Sequence, residues 1–431
     1  MEAEVEVDTA PDAIPTSFKA PFLQTMLERG YIHQCTDFKG LEDKFESGTV
    51  SAYLGFDATA SSLHVGSLLQ IMILRNLQKA GHKPIILLGG GTTKVGDPSG
   101  KDESRQLLTE DVIRSNAASI GKIFEKFITF GDGPSDAIMV NNADWLDKIN
   151  YLEFLRDYGS YFTINRMLSF ESVKQRLARE QPLTFLEFNY MLLQAYDFLE
   201  LNRRHNAVLQ LGGSDQWGNI ISGVELGRKV DRASLFGLTA PLITTSDGRK
   251  MGKTATGALW LNKELLSEFE YWQFWRNTVD VDVIRFLKLF SELPLARIND
   301  MAQWEGAELN AAKKVLADEA TTLLHGAGCL PAIHATAASL FSDSGSGRRG
   351  GDLDSLPSFA GAVGDSVVEL LATSGLASSK AEAKRLIKAG GARVNGEKVA
   401  NMDVVLVDDD FGSDGRLKLS SGKKNHVVIH L

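Results

Sequence analysis

The alternation of short strand-like runs with longer helical patterns between residues 21 and 245 is the strongest constraint on the fold. The candidate strands are apolar, and several end in glycine-rich turns: Val50–Gly55, Pro84–Leu88, Ile138–Val140, Ala207–Leu211 and Pro241–Ile243. Strands that alternate with helices predict an α/β fold with a Rossmann-like, doubly wound parallel sheet, in which ligands bind beyond the carboxyl ends of the strands. Between about residues 115 and 201 the pattern is mainly helical, which predicts a helical insertion within this domain.

The rest of the chain divides by composition. Residues 1–20 carry five acids and one lysine, which predicts a flexible acidic extension. Residues 246–341 contain a polar, glycine-containing loop followed by an α-helical domain, and the Gly- and Ser-rich residues 342–355 predict a flexible linker. Residues 356–431 predict a small α+β domain.

Composition excludes several classes of protein. The chain carries 46 Lys and Arg against 55 Asp and Glu, a net charge of −9, so it is not a protein coated in positive charge. Its longest apolar runs, such as Ile71–Leu74 and Ile85–Leu88, are much shorter than the roughly 20 residues of a membrane span. Two distant cysteines, Cys35 and Cys329, and an acidic N-terminus without a signal-peptide pattern predict a cytoplasmic location.

The first candidate functional segment is Y-L-G-F-D-A-T-A-S-S-L-H-V-G-S, which begins at Tyr53. A strand is expected to end in its first residues, and a helix is expected to begin near Gly66. The free N–H groups of a helix N-terminus bind phosphate, and Gly66 lets a ligand approach the backbone. Thr59 and His64 can add side-chain donors. The alternative interpretation is a structural histidine beside a helix that Ser62 caps.

The second segment is D-G-R-K-M-G-K-T, residues 247–254. Its lysines, Lys250 and Lys253, lie three positions apart among glycines, which predicts a mobile cationic loop. Such a loop can close over a polyphosphate and stabilise negative charge that develops in a transition state. The alternative is an ordinary solvated surface loop.

A third group lies on a predicted helix that starts near Asn189. Tyr190, Gln194 and Asp197 are spaced i, i+4 and i+7 and therefore share one face. This stripe contains no lysine or arginine. It therefore predicts a pocket wall, with an ordinary amphipathic surface as the alternative.

The C-terminal domain contains a local basic surface. The sequence Ser379-Lys-Ala-Glu382 predicts a capping box, and the Asn395-Gly396 dipeptide predicts a hairpin turn. The basic side chains of this segment are Lys380, Lys384, Arg385, Lys388 and Arg393. They give it a local positive charge that the overall negative charge conceals, with an ordinary solvated helix face as the alternative.

Together, the H-V-G-S and K-M-G-K-T segments resemble the paired signatures of class I aminoacyl-tRNA synthetases, usually written H-I-G-H and K-M-S-K-S. Ser67 stands where the family typically has a second histidine, and Gly252 and Thr254 replace two serines. The resemblance implies activation of an amino acid by ATP, followed by transfer to the 3′ end of a tRNA. It also implies that the catalytic residues are Thr59, His64, Lys250, Lys253 and Thr254.

The polar helical stripe, together with Tyr53 and the run G-G-S-D-Q-W-G-N from Gly212, resembles the bacterial tyrosyl-tRNA synthetases over nearly the whole chain after residue 20. The resemblance implies these tyrosine-binding side chains: Tyr53 and Asp197 at the phenol hydroxyl, Asp97, Tyr190 and Gln194 at the α-ammonium group, and Gln216 at the carboxylate. It implies an ATP site formed by Gly55, Asp57, Thr59, His64, Gly66, Gly213, Asp215, Lys250 and Lys253. Asp215 would hold the ribose hydroxyls, and the two lysines would hold the pyrophosphate.

The same resemblance implies partners. Magnesium is expected to arrive with ATP, and no tightly held metal is expected because the sequence shows no acidic metal cluster. The basic helix and hairpin resemble the S-four RNA-binding domain, which implies that Lys380, Lys384, Arg385, Lys388 and Arg393 contact the tRNA. The resemblance also implies a homodimer formed through the helical insertion.

Three alternatives stay open. One is a tryptophan-specific relative, which the pair Tyr53 and Asp197 and the appended RNA-binding unit disfavour. Another is a catalytically inactive homologue that serves as an RNA-binding scaffold; the retained signature histidine and lysines argue against it, whereas Ser67 favours it. The third is a small-molecule nucleotidyltransferase, which would not need the helical and C-terminal domains.

Overall fold

The computed structural model describes residues 13–99, 108–246, 248, 251, 253–254, 257–342, 356–412, 414–422 and 425–431. These residues form two compact units. The first contains the described residues of 1–251 together with 284–299, and the second contains those of 252–283 and 300–431. Most of the predicted acidic extension and of the predicted linker lies outside the described residues.

A six-stranded sheet organises the first unit. Its strands, in chain order, are β1 (Gln34–Cys35), β2 (Ser51–Asp57), β3 (Lys83–Gly89), β4 (Ile138–Asn141), β5 (Ala207–Gly213) and β6 (Phe236–Ala240). Across the sheet they lie in the order β1-β6-β5-β2-β3-β4, and all neighbours are parallel except β1 and β6. The predicted doubly wound α/β fold is therefore confirmed. The strand order reverses between β2 and β5, and ligands of such folds bind at the carboxyl ends of the strands at this point.

Two strands of the sheet differ from the prediction. The strand expected at Pro241–Ile243 is wrong, because the observed β6 is Phe236–Ala240. Pro241 has no backbone N–H to donate across the sheet, so the strand ends before it. The antiparallel strand β1 was not predicted, since two residues are too few to show an alternating pattern.

The helices, in chain order, are α1 (Pro21–Arg29), α2 (Phe38–Glu46), α3 (Val65–Lys79), α4 (Glu110–Phe124), α5 (Ala143–Leu146), α6 (Tyr151–Asp157), α7 (Ile164–Ser169), α8 (Glu171–Ala178), α9 (Phe185–Phe188), α10 (Tyr190–His205), α11 (Trp217–Asp231), α12 (Glu268–Arg276), α13 (Val283–Phe290), α14 (Leu295–Met301), α15 (Ala307–His325), α16 (Leu330–Ser342), α17 (Val367–Thr373) and α18 (Lys380–Lys388). Helices α5 to α9 form the insertion. It begins after β4 rather than at about residue 115, because β4 pairs with β3 as the edge of the sheet. Among the described residues, no helix is long and apolar enough to cross a membrane.

Residues 284–299 belong to the first unit, although the sequence assigned them to the helical domain of residues 246–341. The Arg29 guanidinium donates hydrogen bonds to the carbonyl oxygens of Lys288, Ser291 and Leu293 at 2.8, 2.9 and 2.8 Å. These contacts join α1 to the end of α13 across more than 250 residues of sequence. Local patterns do not reveal such a pairing.

The predicted acidic extension ends earlier than residue 20. Phe18 and Ala20 are buried, and the ring centroids of Phe18 and Phe38 lie 5.7 Å apart. The Phe18 N–H also donates to the Gln24 side chain at 2.8 Å. These residues therefore pack against the first unit, which the acidic composition of the preceding residues obscured.

In the second unit, α12, α15 and α16 pack together, and Asp318 accepts hydrogen bonds from Trp272 and His334, both at 2.7 Å. A short hairpin pairs β7 (Lys253–Thr254) with β8 (Gly257–Ala258). The C-terminal sheet contains β9 (Ser358–Ala360), β10 (Ala392–Val394), β11 (Glu397–Lys398), β12 (Arg416–Ser421) and β13 (Asn425–His430). Its order is β11-β10-β12-β13-β9, and its apolar face shares a core with α17 and α18.

The predicted turn chemistry of the C-terminal domain is confirmed with one change. Asn395 and Gly396 have φ values of 48° and 87° and join β10 to β11, as a two-residue hairpin requires. Ser379 caps α18 by accepting the Glu382 N–H at 3.2 Å. The Glu382 carboxylate, however, accepts the N–H of Ser378 at 2.7 Å, one residue before the cap. The reciprocal bond of the predicted capping box is therefore displaced by one residue.

Candidate active site

The candidate site is a cavity of about 170 Å³ at the carboxyl ends of β2 and β5, where the strand order reverses. Nine predicted site residues line it: Tyr53, Gly55, Asp57, Asp97, Tyr190, Gln194, Asp197, Asp215 and Gln216. Further lining residues, which the sequence did not single out, include Gln70, Thr92, Asn142 and Gln210. The polar stripe of α10 therefore forms a pocket wall, as predicted from its spacing.

The deepest carboxylate of the cavity is Asp197, which is 1% exposed. Its Oδ1 accepts a hydrogen bond from Trp145 Nε1 at 2.7 Å, and its Oδ2 accepts one from Asn142 Nδ2 at 2.9 Å. Burial raises the pKa of Asp197 to about 7, whereas the two donors act in the opposite direction. The carboxylate is thus fixed in position by two donors that follow β4.

Tyr53, on β2, lies beside Asp197 at the same end of the cavity. Its ring is edge-on to Phe198 with centroids 5.1 Å apart, and its side chain is 1% exposed. The hydroxyl makes no hydrogen bond with any residue that the structure describes. Burial, and then the Asp197 charge, raise the pKa of Tyr53 well above its ordinary value, so the hydroxyl keeps its proton. A buried donor without a partner is costly and indicates a ligand with a polar group at this point.

The other carboxylates of the cavity are held by side chains from several elements. Asp57 accepts hydrogen bonds from Tyr190 at 3.2 Å and Thr92 at 2.9 Å. Asp97 accepts one from Gln216 Nε2 at 2.8 Å. Burial, followed by the nearby Asp57 and Asp97 charges, raises the pKa of Tyr190 well above its usual value. These acidic groups favour a cationic group in the ligand.

The first signature segment forms the N-terminus of α3. His64 is the N-cap, and its Nδ1 accepts the Gly66 N–H at 3.0 Å. A neutral imidazole therefore carries its proton on Nε2. Ser62 does not cap this helix, because its hydroxyl donates to the Leu63 carbonyl at 2.9 Å. Thr59 is exposed and does not line the cavity.

Gly66 lies against the second signature segment. A Cβ added to Gly66 would lie 2.6 Å from His64 Cε1 and 3.0 Å from the Met251 carbonyl oxygen. Met251 is buried, and its N–H donates to the Ile243 carbonyl at 3.0 Å. The structure thus brings Met251 of the second signature segment to Gly66 at the start of α3, although about 185 residues separate them in the sequence.

Other predicted site residues lie partly outside the described structure. Lys250 is not among the described residues, and Lys253 and Thr254 are described only as the backbone of β7. Gly213 ends β5, and a Cβ there would lie 2.6 Å from Asp215 Oδ1.

The predicted RNA-binding side chains lie on α18 and the adjoining hairpin. Lys384, Arg385 and Lys388 are exposed. Lys380 is also exposed but forms an ion pair with Glu369, and Arg393 donates to the Gly396 carbonyl at 2.8 Å. The predicted basic side chains of α18 therefore form an exposed surface, and the ion pair with Glu369 balances the charge of Lys380.

Asn142 and Trp145, which donate to Asp197, are among the site residues that sequence reasoning missed. Both follow β4, whose carboxyl end lies at the same edge of the sheet as those of β2 and β5. The polar pair Asn141-Asn142 directly after a predicted strand was the available signal. Their contact with Asp197 spans more than 50 residues and required the fold to be known.

The fold and the site are those of a class I synthetase. The cavity is lined by acidic and tyrosine side chains and lies beside a helix N-terminus, where the strand order of the sheet reverses. Residues 46–342 match the family described as tRNA synthetases class I (W and Y), and residues 352–429 match the tyrosine–tRNA ligase SYY-like C-terminal domain. The chain belongs to the class I tRNA synthetase (W and Y) family.

Curated relatives match almost the entire chain. A tyrosine–tRNA ligase of Zymomonas mobilis is 56% identical over 417 residues, which cover 96% of this chain and 99% of that protein. A tyrosine–tRNA ligase of Caulobacter vibrioides is 57% identical over 416 residues, with 96% and 98% coverage.

Solved structures resemble the chain over about three quarters of its length. A C-terminally truncated mitochondrial tyrosyl-tRNA synthetase of Aspergillus nidulans has a TM-score of 0.66 at 32% identity, with 74% of this chain and 94% of that chain covered. A tryptophanyl-tRNA synthetase of Plasmodium falciparum has a TM-score of 0.52 at 14% identity, with 70% and 83% covered. The same fold therefore occurs in both tyrosyl- and tryptophanyl-tRNA synthetases.

Proposed function

We infer that this chain is a tyrosine–tRNA ligase, which activates L-tyrosine with ATP and transfers it to the 3′ end of its tRNA. One observation carries the choice of amino acid: the fixed, buried Asp197 carboxylate lies beside the Tyr53 hydroxyl, which has no partner among the described residues. The phenol hydroxyl of a bound tyrosine can donate to the carboxylate and accept from Tyr53. Phenylalanine would leave both groups buried and unpaired, which is unfavourable.

The other cavity side chains suit the remaining groups of the amino acid. Asp97, Tyr190 and Gln194 line the wall where an α-ammonium group would bind, and Gln216 lies beside Asp97 for the carboxylate. The substrate carboxylate is already ionised, so its attack on the α-phosphate of ATP needs no general base. Catalysis then depends on positioning and on electrostatic stabilisation of the transition state.

ATP is proposed to bind at the adjoining helix N-terminus. His64 and the first N–H groups of α3 would face phosphate, Asp215 would face the ribose, and Asp57, Gly55 and Gly213 lie at the ends of the neighbouring strands. Thr59, Lys250, Lys253 and Thr254 are proposed to contact the phosphates during pyrophosphate release. Mg²⁺ would accompany ATP, because Mg²⁺ sites in such enzymes use substrate phosphates as ligands.

The tRNA is proposed to contact two surfaces. A wider cleft of about 780 Å³ shares Asp215 with the cavity and carries Arg166 and the exposed Arg179. Arginines beside the reacting centre suit the phosphates of a tRNA 3′ end. We expect Arg179→Gln to slow aminoacylation while tyrosine-dependent exchange stays within about twofold of wild type, since a phosphate contact contributes to tRNA binding and not to the activation step.

The basic α18 is proposed as the second tRNA contact. Its Lys384, Arg385 and Lys388 are exposed on a separate small domain. Replacement of Lys384 and Lys388 by Gln should weaken tRNA binding and reduce its salt dependence, which filter binding at several salt concentrations measures. Tyrosine activation in the same variant serves as the control, because the substitution leaves the cavity untouched.

A homodimer is proposed through the insertion. This region exposes several large apolar side chains, namely Tyr151, Leu152, Ile164, Phe185 and Leu186. Exposed apolar patches of this kind mark protein interfaces. Light scattering should give a mass near twice 47.1 kDa, and Phe185→Glu should shift it towards the monomer.

The decisive experiment is exchange of pyrophosphate into ATP with each standard amino acid in turn. Tyrosine alone should support exchange. A preference for tryptophan would establish the tryptophan-specific alternative, and no exchange with any amino acid would establish the inactive scaffold. We also propose a cytoplasmic location, because aminoacylation takes place where the tRNA is used in protein synthesis.

A further inference from the structure

Arg204 lies outside the cavity, yet it contacts a residue that holds the cavity's deepest carboxylate. It is on α10, seven residues after Asp197. The Arg204 guanidinium carbon lies 5.4 Å from the centroid of the Trp145 ring. The Nε1 of the same indole donates to Asp197 Oδ1 at 2.7 Å. A continuous set of contacts therefore runs from an exposed arginine to the floor of the site.

Glu200 fixes the arginine in this position. Arg204 Nε donates to Glu200 Oε2 at 2.6 Å, and the Glu200 side chain is only 8% exposed. Glu200 lies one turn from Asp197, and its negative charge opposes ionisation of Asp197. The positive charge of Arg204 offsets the negative charge of Glu200, and the same guanidinium lies over the Trp145 ring.

The physical effect of the stacked cation is twofold. A guanidinium over an aromatic face is attracted to the ring and restricts its orientation. It also draws electron density from the ring, so the indole N–H becomes a stronger donor to the carboxylate. Both effects favour the ionised form of Asp197 and keep its carboxylate in place.

We propose that Arg204 is a positioning residue for tyrosine recognition, which acts through Trp145 on Asp197. The proposal rests on the proposed function. Arg204 does not line the cavity, so it influences the substrate through intervening side chains, and Trp145 contacts both Arg204 and Asp197. Its loss should therefore raise the KM for tyrosine and leave the KM for ATP and the maximal rate nearly unchanged.

Arg203 provides a matched control on the same helix. The Arg203 side chain is 35% exposed and the Arg204 side chain 49%, and both contact Glu200. Arg203 points to Asp231, with hydrogen bonds of 2.6 and 2.9 Å, and to the Tyr158 hydroxyl. A general effect of losing a surface arginine would appear in both variants, whereas the proposed effect would appear only at Arg204.

The first experiment compares Arg204→Gln with Arg203→Gln in tyrosine-dependent pyrophosphate exchange. We expect the KM for tyrosine to rise about fivefold in Arg204→Gln and less than about twofold in Arg203→Gln, in line with the strength of a cation–π contact. Arg204→Lys should recover part of the difference because its ammonium group keeps the charge. Equal effects in the two glutamine variants, or a fall in maximal rate at unchanged KM, would overturn the proposal.

The second experiment tests the route through the indole. Trp145→Phe keeps an aromatic ring beneath Arg204 but removes the N–H that donates to Asp197. In that background, Arg204→Gln should change the KM for tyrosine by less than about twofold, because coupled residues are not additive. The same fivefold increase in both backgrounds would show that Arg204 acts by another route. Absence of tyrosine-dependent exchange in the wild type would instead refute the proposed function itself.

Discussion

The two ends of the candidate site are built differently. The phenol end, formed by Tyr53, Asn142, Trp145 and Asp197, is buried and draws its polar groups from β2, from the residues after β4 and from α10. The phosphate end, formed by residues 64–67 and Met251, consists mainly of one helix N-terminus whose backbone groups are proposed to bind phosphate. Amino-acid specificity should therefore depend on side chains that are distant in sequence, and nucleotide binding on a short local motif.

Asp197→Ala should separate the two ends most clearly, because it should impair the use of tyrosine far more than the use of ATP. It removes the acceptor for the substrate phenol and leaves the Asn142 and Trp145 donors without this acceptor. We expect kcat/KM for tyrosine to fall roughly 100-fold or more, since hydrogen bonds to buried charged groups are strong. The KM for ATP should stay within about twofold of wild type, which steady-state exchange kinetics measure. Near-normal exchange with tyrosine would refute the assignment of the phenol end.

The pH dependence of stability is the next largest effect. Burial raises the pKa of Asp197 from 3.8 to about 7, so the folded chain binds this proton more tightly than the unfolded chain. The stabilisation is therefore present at low pH and is lost as the pH rises through about 7. Relative to Asp197→Asn, the wild type should lose about 1.4 kcal/mol of unfolding free energy for each pH unit between about 4 and about 7.

Urea unfolding of the two proteins across that range measures the difference, and groups common to both cancel in the subtraction. A difference that is flat with pH would show that Asp197 is ionised throughout.

Gly66→Ala tests the phosphate end. The added methyl group would overlap the His64 ring and approach the Met251 carbonyl oxygen, so both signature segments must move. We expect the KM for ATP to rise about tenfold, the size of an overpacking effect, while the KM for tyrosine changes little. If the KM for tyrosine rises instead, the separation between the two ends is not functional.

Tyr53→Phe gives the smallest expected effect on activity. It removes one hydrogen bond to the substrate phenol and should lower kcat/KM for tyrosine about fivefold. Because the hydroxyl has no partner among the described residues, its removal should not destabilise the folded chain. Thermal unfolding of the ligand-free variant measures the second point, and a clear loss of stability would show that the hydroxyl has a structural partner.

The same contrast explains what the sequence could predict. The phosphate end follows local rules, so its helix start near Gly66 could be predicted directly, whereas the pairing of the two signature segments came from the family resemblance. The stripe of Tyr190, Gln194 and Asp197 was also predictable, because helical spacing alone places the three on one face.

The donors to Asp197 were not predictable in the same way. Asn142 and Trp145 meet it only because the fold places the residues that follow β4 beside the middle of α10. The packing of residues 284–299 against Arg29 has the same origin in long-range contacts. Sequence patterns report periodicity within an element and give no information on which elements become neighbours.

The solitary hydroxyl of Tyr53 has a consequence for the ligand-free protein. Among the described residues this buried donor has no partner, which is unfavourable. A phenol oxygen that accepts from this hydroxyl would satisfy it, so the proposed substrate would stabilise the folded chain as well as react. A phenol-bearing amino acid should therefore protect the chain from heat more than phenylalanine does, even when both are present at concentrations that fill the cavity.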